Sequence, residues 1–168
     1  MPRTIDTVMA GERARSFTRR SIKTESKMQG LRLALSMVDL TTLEGKDSPQ
    51  KIQSLCHKAM TPWEGEVDPP LPSAAAVCVY PSLVSIARRT LEGSTVKIAS
   101  VATGFPSGQF PIDLRLRDVK AAVAAGADEI DMVINRGAFL AGRFDEVADE
   151  IRAIREACGG AHLKIILE

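Results

Sequence analysis

The stretch Glu129-Ile130-Asp131-Met132-Val133-Ile134-Asn135 is followed by a helix-spaced segment, Phe144 to Cys158, by Gly159-Gly160, and by a second apolar run, Leu163-Lys164-Ile165-Ile166-Leu167. Two strand-length runs joined by a glycine-closed helix form a strand–helix–strand unit with parallel strands and a right-handed crossover. The same cadence extends upstream. Leu33 to Leu40 reads as a first strand, and Asp47 or Ser48 caps a helix with Pro49 in its first turn and Ile52, Leu55, Cys56 and Ala59 on one face. Ala75 to Tyr80 is a second strand, followed by a helix from Pro81-Ser82 to Leu91. Lys97 to Thr103 is a third strand, followed by a helix from Ile112 to Ala125. Runs such as Val77-Cys78-Val79-Tyr80 barely alternate with polar residues, as expected of a parallel sheet covered on both faces.

Five such strands suit either a doubly wound sheet or the first part of an eight-stranded barrel. A doubly wound nucleotide binder should carry a GxGxxG or GxxxxGK turn after its first strand, and Thr41-Thr42-Leu43-Glu44-Gly45-Lys46 has neither. A flavodoxin-like phosphate binder lacks its phosphate-cradling turn for the same reason. The expected fold is therefore α/β, a (β/α)8 barrel truncated after about the fifth strand, since a full barrel takes about 250 residues.

Parity along the strands selects candidate site residues. If Ile130, Met132 and Ile134 face the helices, Asp131, Val133 and Asn135 face the interior. If Leu163, Ile165 and Leu167 face the helices, Lys164, Ile166 and Glu168 face the interior. Asp39, at the end of the first strand, is another interior carboxylate. A lysine between apolar neighbours is expected to be pushed toward its neutral, nucleophilic form, although a strand-end lysine that snorkels to water is the plain alternative. Likewise Asp131 could be a salt-bridged structural group, Asp39 a loop cap and Cys78 a small core residue. Asp128-Glu129 and the charged residues Asp145, Glu146, Asp149, Glu150, Arg152 and Arg155 read as a solvated helix face.

The remaining features exclude more than they assign. The chain has 168 residues, 45% hydrophobic and 26% charged, with a formal net charge of +1, so no bulk charge points to nucleic acid. Cys56, Cys78 and Cys158 show no paired spacing and have only His57 and His162 for company, which argues against disulfides and a zinc site and suits a reducing cytoplasm. No apolar stretch approaches a membrane-spanning length. Residues 1–30 form a basic extension, with Arg3, Arg13, Arg15, Arg19, Arg20 and Lys23. Asp6, Glu12 and Glu25 speak against a mitochondrial transit peptide, so it reads as a solvated arm or a subunit contact, compatible with a homo-oligomer. Residues 31–168 form the barrel part, interrupted by a proline-rich acidic insertion, Pro62 to Pro72, that carries Trp63.

Four segments in this order and spacing resemble the deoxyribose-phosphate aldolase family: Val38-Asp39-Leu40-Thr41-Thr42-Leu43, Ala75-Ala76-Val77-Cys78-Val79-Tyr80-Pro81, Ala99 to Gly108 with its Gly104-Phe105-Pro106-Ser107-Gly108 loop, and Gly126 to Asn135. The closing Leu163-Lys164-Ile165-Ile166-Leu167-Glu168 is similar to the family's Schiff-base strand. The resemblance implies reversible cleavage of 2-deoxy-D-ribose 5-phosphate to D-glyceraldehyde 3-phosphate and acetaldehyde, a step of deoxyribonucleotide catabolism, without metal or organic cofactor. It implies Lys164 as the Schiff-base amine, Asp131 as the proton-shuttling carboxylate, Asp39 as a supporting charge and Cys78 as a neighbour of the substrate. Its partners would be a small phosphorylated sugar and aldehydes, with neither nucleic acid nor membrane.

The resemblance also implies a second lysine on the next strand, in a Phe-Ile-Lys-Thr-Ser type of segment, and phosphate-binding loops further on; these 168 residues contain neither. A weak or inactive catalyst is expected on that ground, with Lys164 keeping a higher pKa for want of the second lysine's charge. The competing expectation is a noncatalytic barrel-fragment interaction module.

Overall fold

The computed structural model describes residues 5–167. Arg3 of the basic arm and the interior position expected for Glu168 lie outside them. The chain divides into two compact units, the first reaching Leu33 and the second beginning at Ala34.

The first unit is helical. α1 (Thr7–Thr18) starts where the Asp6 side chain accepts a hydrogen bond from the Met9 amide, and α2 (Thr24–Leu35) follows; neither helix buries a residue. The first strand expected from Leu33 onward is thereby shortened. Met28, Leu31 and Leu35 recur at helical spacing and continue α2, a turn follows, and the strand β1 spans only Asp39–Thr41.

In the second unit, β1, β2 (Ala76–Val79), β3 (Lys97–Ala102), β4 (Glu129–Val133) and β5 (His162–Ile166) form one wholly parallel sheet. Its spatial order is β1-β2-β3-β4-β5. A doubly wound sheet reverses direction at a switch point, whereas this sheet winds one way throughout, so the architecture is the barrel type. The crossovers run through α3 (Pro49–Met60), a 3₁₀ turn (Pro81–Leu83) continuing into α4 (Val84–Thr90), α5 (Ile112–Ala124), and the pair α6 (Arg136–Leu140) and α7 (Phe144–Ala157). Ser48 caps α3 by accepting from the Lys51 amide, with Pro49 at the first helical position. Asp47 instead accepts from the Thr42 hydroxyl and the Glu44 amide, pinning the loop after β1. The short α6 was not expected; Asn135 caps it rather than facing the interior, its side chain accepting from the Ala138 amide.

The sheet's two faces differ in chemistry. Val77, Val79, Ile98, Ala102, Ile130, Met132 and Leu163 pack outward with Ile52, Val84, Val119 and Ile154 of the helices. Cys78, Ala99 and Val101 form a smaller inner cluster with Leu43, Tyr80 and Phe105. Polar staples fix the strands. The Asp128 carboxylate accepts from the Ile98 amide and pairs with Arg88, so it is no part of a solvated helix face. Thr103, held at φ 66°, accepts from the Val133 amide and donates to the Val133 carbonyl.

Arg115 of α5 is only 1% exposed. Its guanidinium pairs with Glu150 of α7 at 2.8 Å and donates to the Val133 carbonyl, which ties both helices to the end of β4 and corrects the reading of Glu150 as a solvated side chain. Removing one member of such a pair strands a buried charge, while replacing both with apolar groups does not. Glu150→Gln is expected to lower the unfolding free energy by about 3 kcal/mol, and Arg115→Met with Glu150→Leu to recover most of it, as read from urea unfolding midpoints.

Candidate active site

Lys164 rises from the middle of β5 onto the inner face, and its Nζ meets three carboxylates: Glu129 at 2.7 Å, Asp131 at 2.8 Å and Asp39 at 3.0 Å. Parity accounts for the set. Glu129 and Asp131 are two residues apart on β4, Asp131 is the register partner of Lys164, and Asp39 comes from β1 at the other edge of the sheet. Four inter-strand spacings of about 4.8 Å would separate β1 from β5 by roughly 19 Å in a flat sheet, beyond the joint reach of a lysine and an aspartate. The Lys164–Asp39 contact therefore records the sheet's curvature around its inner face.

The electrostatics follow from this geometry. Burial alone would depress the Lys164 amine, but the hydrogen bonds from Asp131, Glu129 and Asp39 outweigh it, and the group is held above its ordinary value. The neutral amine expected from the apolar flanks of the strand is thus not the resting form; the side chain remains 41% exposed and its neighbours are all acids. Asp131 is the buried member, 5% exposed at its side chain. Desolvation pushes it up to about 6, against the lowering effect of Lys164 and with help from the neighbouring Glu129. One of its oxygens accepts from Lys164 and from the Cys78 thiol at 3.5 Å. The other, Oδ1, is buried with no hydrogen-bond partner among the described residues.

Lys164, Asp131, Asp39 and Cys78, selected from the sequence, are thus brought into one cluster. Glu129 joins them although it was read with Asp128 as a solvated helix face; the parity that selected Asp131 also selects Glu129. The loop after β3 stands beside this face, with Phe105 edge-on to Tyr80 at a centroid distance of 6.2 Å. Gly108 at φ +68° is there by necessity, since a Cβ would come within 2.7 Å of the Ile134 carbonyl. Among the described residues no group of three or more His, Cys, Asp or Glu side chains is arranged to hold a metal ion, and no helix is long and apolar enough to cross a membrane.

Comparison with known proteins places this geometry in context. The family described as DeoC/LacD family aldolase matches residues 33–168. The deoxyribose-phosphate aldolases of Homo sapiens and Mus musculus are 45% and 44% identical over 157 residues, which take in 89% of this chain and 49% of each relative. The chain spans about half the length of the curated relatives it matches. Among solved structures, a Coccidioides immitis protein assigned as a deoxyribose-phosphate aldolase superposes with a TM-score of 0.71 at 32% identity, over 82% of this chain and 50% of that one. The deoxyribose phosphate aldolase of Aeropyrum pernix superposes at 0.63 and 23% identity, over 82% and 53%, which speaks to the fold alone.

Burial pushes the Cys78 thiol up to about 12, with Asp131 adding to it, and the Cys56 thiol up to about 11. All three cysteines are free and buried. A thiol is nucleophilic only as thiolate, so at pH 8 the folded chain is expected to show no fast-reacting thiol toward an aromatic disulfide reagent, and all three once denatured. A rapid single-thiol burst from the folded chain would contradict the environment described for Cys78.

Proposed function

Because the chain belongs to the DeoC/LacD family of aldolases, we propose that it carries the Schiff-base centre of a deoxyribose-phosphate aldolase, with Lys164 as the amine and Asp131 as its proton partner. The observation that supports this most is the pairing of an inner-face lysine with a buried carboxylate, one oxygen of which has no hydrogen-bond partner among the described residues. The substrate class comes from the relatives; the chemistry follows from the residues.

In its neutral form Lys164 attacks the aldehyde carbon of open-chain 2-deoxy-D-ribose 5-phosphate, and loss of water from the carbinolamine gives an iminium. The iminium accepts the electron pair of the C2–C3 bond as the 3-hydroxyl loses its proton, which releases D-glyceraldehyde 3-phosphate and leaves an enamine. Protonation of the enamine carbon and hydrolysis then free acetaldehyde and restore the amine. Asp131, poised to about 6 and close to the amine, is placed to exchange protons in the carbinolamine and enamine steps. Asp39 supports the charge of Lys164 from β1, and Cys78 fixes Asp131 from β2.

The same cluster makes this chain a weak catalyst by itself, because three acids keep the attacking amine protonated at neutral pH. Incubation with 2-deoxyribose 5-phosphate and cyanoborohydride, followed by intact mass and peptide mapping, is expected to place a slow adduct on Lys164. Its rate should rise about tenfold per pH unit from pH 8 to 10 without a plateau, since the reactive form lies above the pKa. Lys164→Met should abolish the adduct and Asp131→Asn should slow it by about a hundredfold. An adduct that persists in Lys164→Met would overturn the assignment.

A further inference from the structure

Glu129 opens β4, two residues before Asp131 on the same face, and takes the shortest of the three bonds from Lys164. Two residues along a strand are about 6.6 Å, so Glu129 lies that much farther than Asp131 from the C-terminal ends of the strands, where barrel enzymes bind and transform substrates. The amine of Lys164 is therefore shared between a carboxylate near the expected reaction level and one below it. We propose that Glu129 is a positioning residue that holsters Lys164: it draws the ammonium away from the C-terminal mouth and keeps it charged until an incoming aldehyde competes for the side chain. This inference rests on the Schiff-base reading of Lys164.

The surroundings favour Glu129 for this task. Among the described residues, the other ionisable groups facing Lys164 are Asp39 from β1, Cys78 from β2 and Asp131 from β4, and the inner residues of β3 are the uncharged Ala99 and Val101. The second oxygen of Glu129 lies 3.9 Å from His162 Nε2, a ring that is largely exposed, and among the described residues Lys164 is the cation at hydrogen-bond distance from this carboxylate. Asp131 has a different placement: it also engages Cys78, and its Oδ1 has no hydrogen-bond partner among the described residues. Glu129 meets the Lys164 ammonium from the N-terminal side of Asp131 on the same strand.

Aldehyde capture needs the neutral amine. Its nitrogen bonds to the carbonyl carbon, the carbonyl oxygen takes up two protons and leaves as water, and hydride from cyanoborohydride reduces the iminium to a secondary amine. Loss of one carboxylate in contact with a lysine lowers the lysine's pKa by about 1–3 units, which multiplies the neutral fraction by at least about tenfold.

The test is site-resolved trapping of the 168-residue chain with acetaldehyde and cyanoborohydride, with modification of Lys58 on α3 as internal reference and circular dichroism as the check of folding. At pH 8, Glu129→Gln is expected to raise the initial rate at Lys164 about tenfold or more relative to Lys58, and to move its rate–pH profile at least about one unit toward lower pH. Glu129→Asp, which retracts the carboxylate by one methylene, should give a smaller rise of about threefold and carries the test if the glutamine variant does not fold. An unchanged or slower rate at Lys164 in a folded variant would overturn the holster while leaving Lys164 as the trapped amine. No adduct at Lys164 in any of the proteins would overturn the Schiff-base reading, and the holster with it.

Discussion

The ammonium of Lys164 is the charge on which the inner face of the sheet depends. Three carboxylates point into the same space, and without a cation between them Asp131 would be a buried, unpaired acid beside a second acid. The lysine resolves this by taking all three at 2.7–3.0 Å. In doing so it ties β5 to β1, so the electrostatics of the site and the curvature of the sheet are one constraint. The pair with Asp39 is partly open to solvent on both sides, so its contribution to stability is modest. Its larger effect is geometric.

The rest of the fold leaves this face free for charge. Apolar burial is concentrated on the outer side, where the even-numbered residues of β4 and Leu163 of β5 meet the helices. The inner cluster is small and stops at β3. Polar staples rather than apolar packing hold the strand ends next to the site: Thr103 on both backbone groups of Val133, and Arg115 on the Val133 carbonyl with Glu150 as counter-ion. This division, apolar outside and ionic inside, is what allows a lysine to sit in a strand flanked by leucine and isoleucine. The arrangement also fixes the resting chemistry of the amine, which three acids hold in its charged form.

Much of this was legible in the sequence because a period of two is unambiguous once a strand is recognised. Parity placed Asp131 and Lys164 on the inner face and the family resemblance singled them out there, and the cadence of strands and helices pointed to the parallel sheet, whose one-way order then separated the barrel from the doubly wound alternative. Glu129 was missed because it follows Asp128, and the two adjacent acids were grouped with a solvated helix face; the backbone puts one on each side of the strand's start, Asp128 to the Ile98 amide and Glu129 to Lys164. Arg115 was missed although it occupies the stripe of α5 shared by Val119 and Ala122, where a charged residue signals a buried partner. The boundary between α2 and β1 was misplaced because Leu31, Leu33 and Leu35 alternate like a strand while Met28, Leu31 and Leu35 also fit a helix, and short apolar runs do not decide between the two. For Lys164 the sequence pointed both ways, the apolar flanks toward a neutral amine and the missing second lysine toward a higher pKa; the cause that decides it, acids brought from β1 and β4, was not legible.

The most direct test of this account is a double-mutant cycle on the unfolding free energy with Lys164→Met, Asp39→Asn and the double variant. A sheet curved so that β5 reaches β1 predicts a coupling energy of about 1 kcal/mol, shrinking as salt is added. Strict additivity of the two substitutions would contradict it, because in a flat sheet the two side chains never meet.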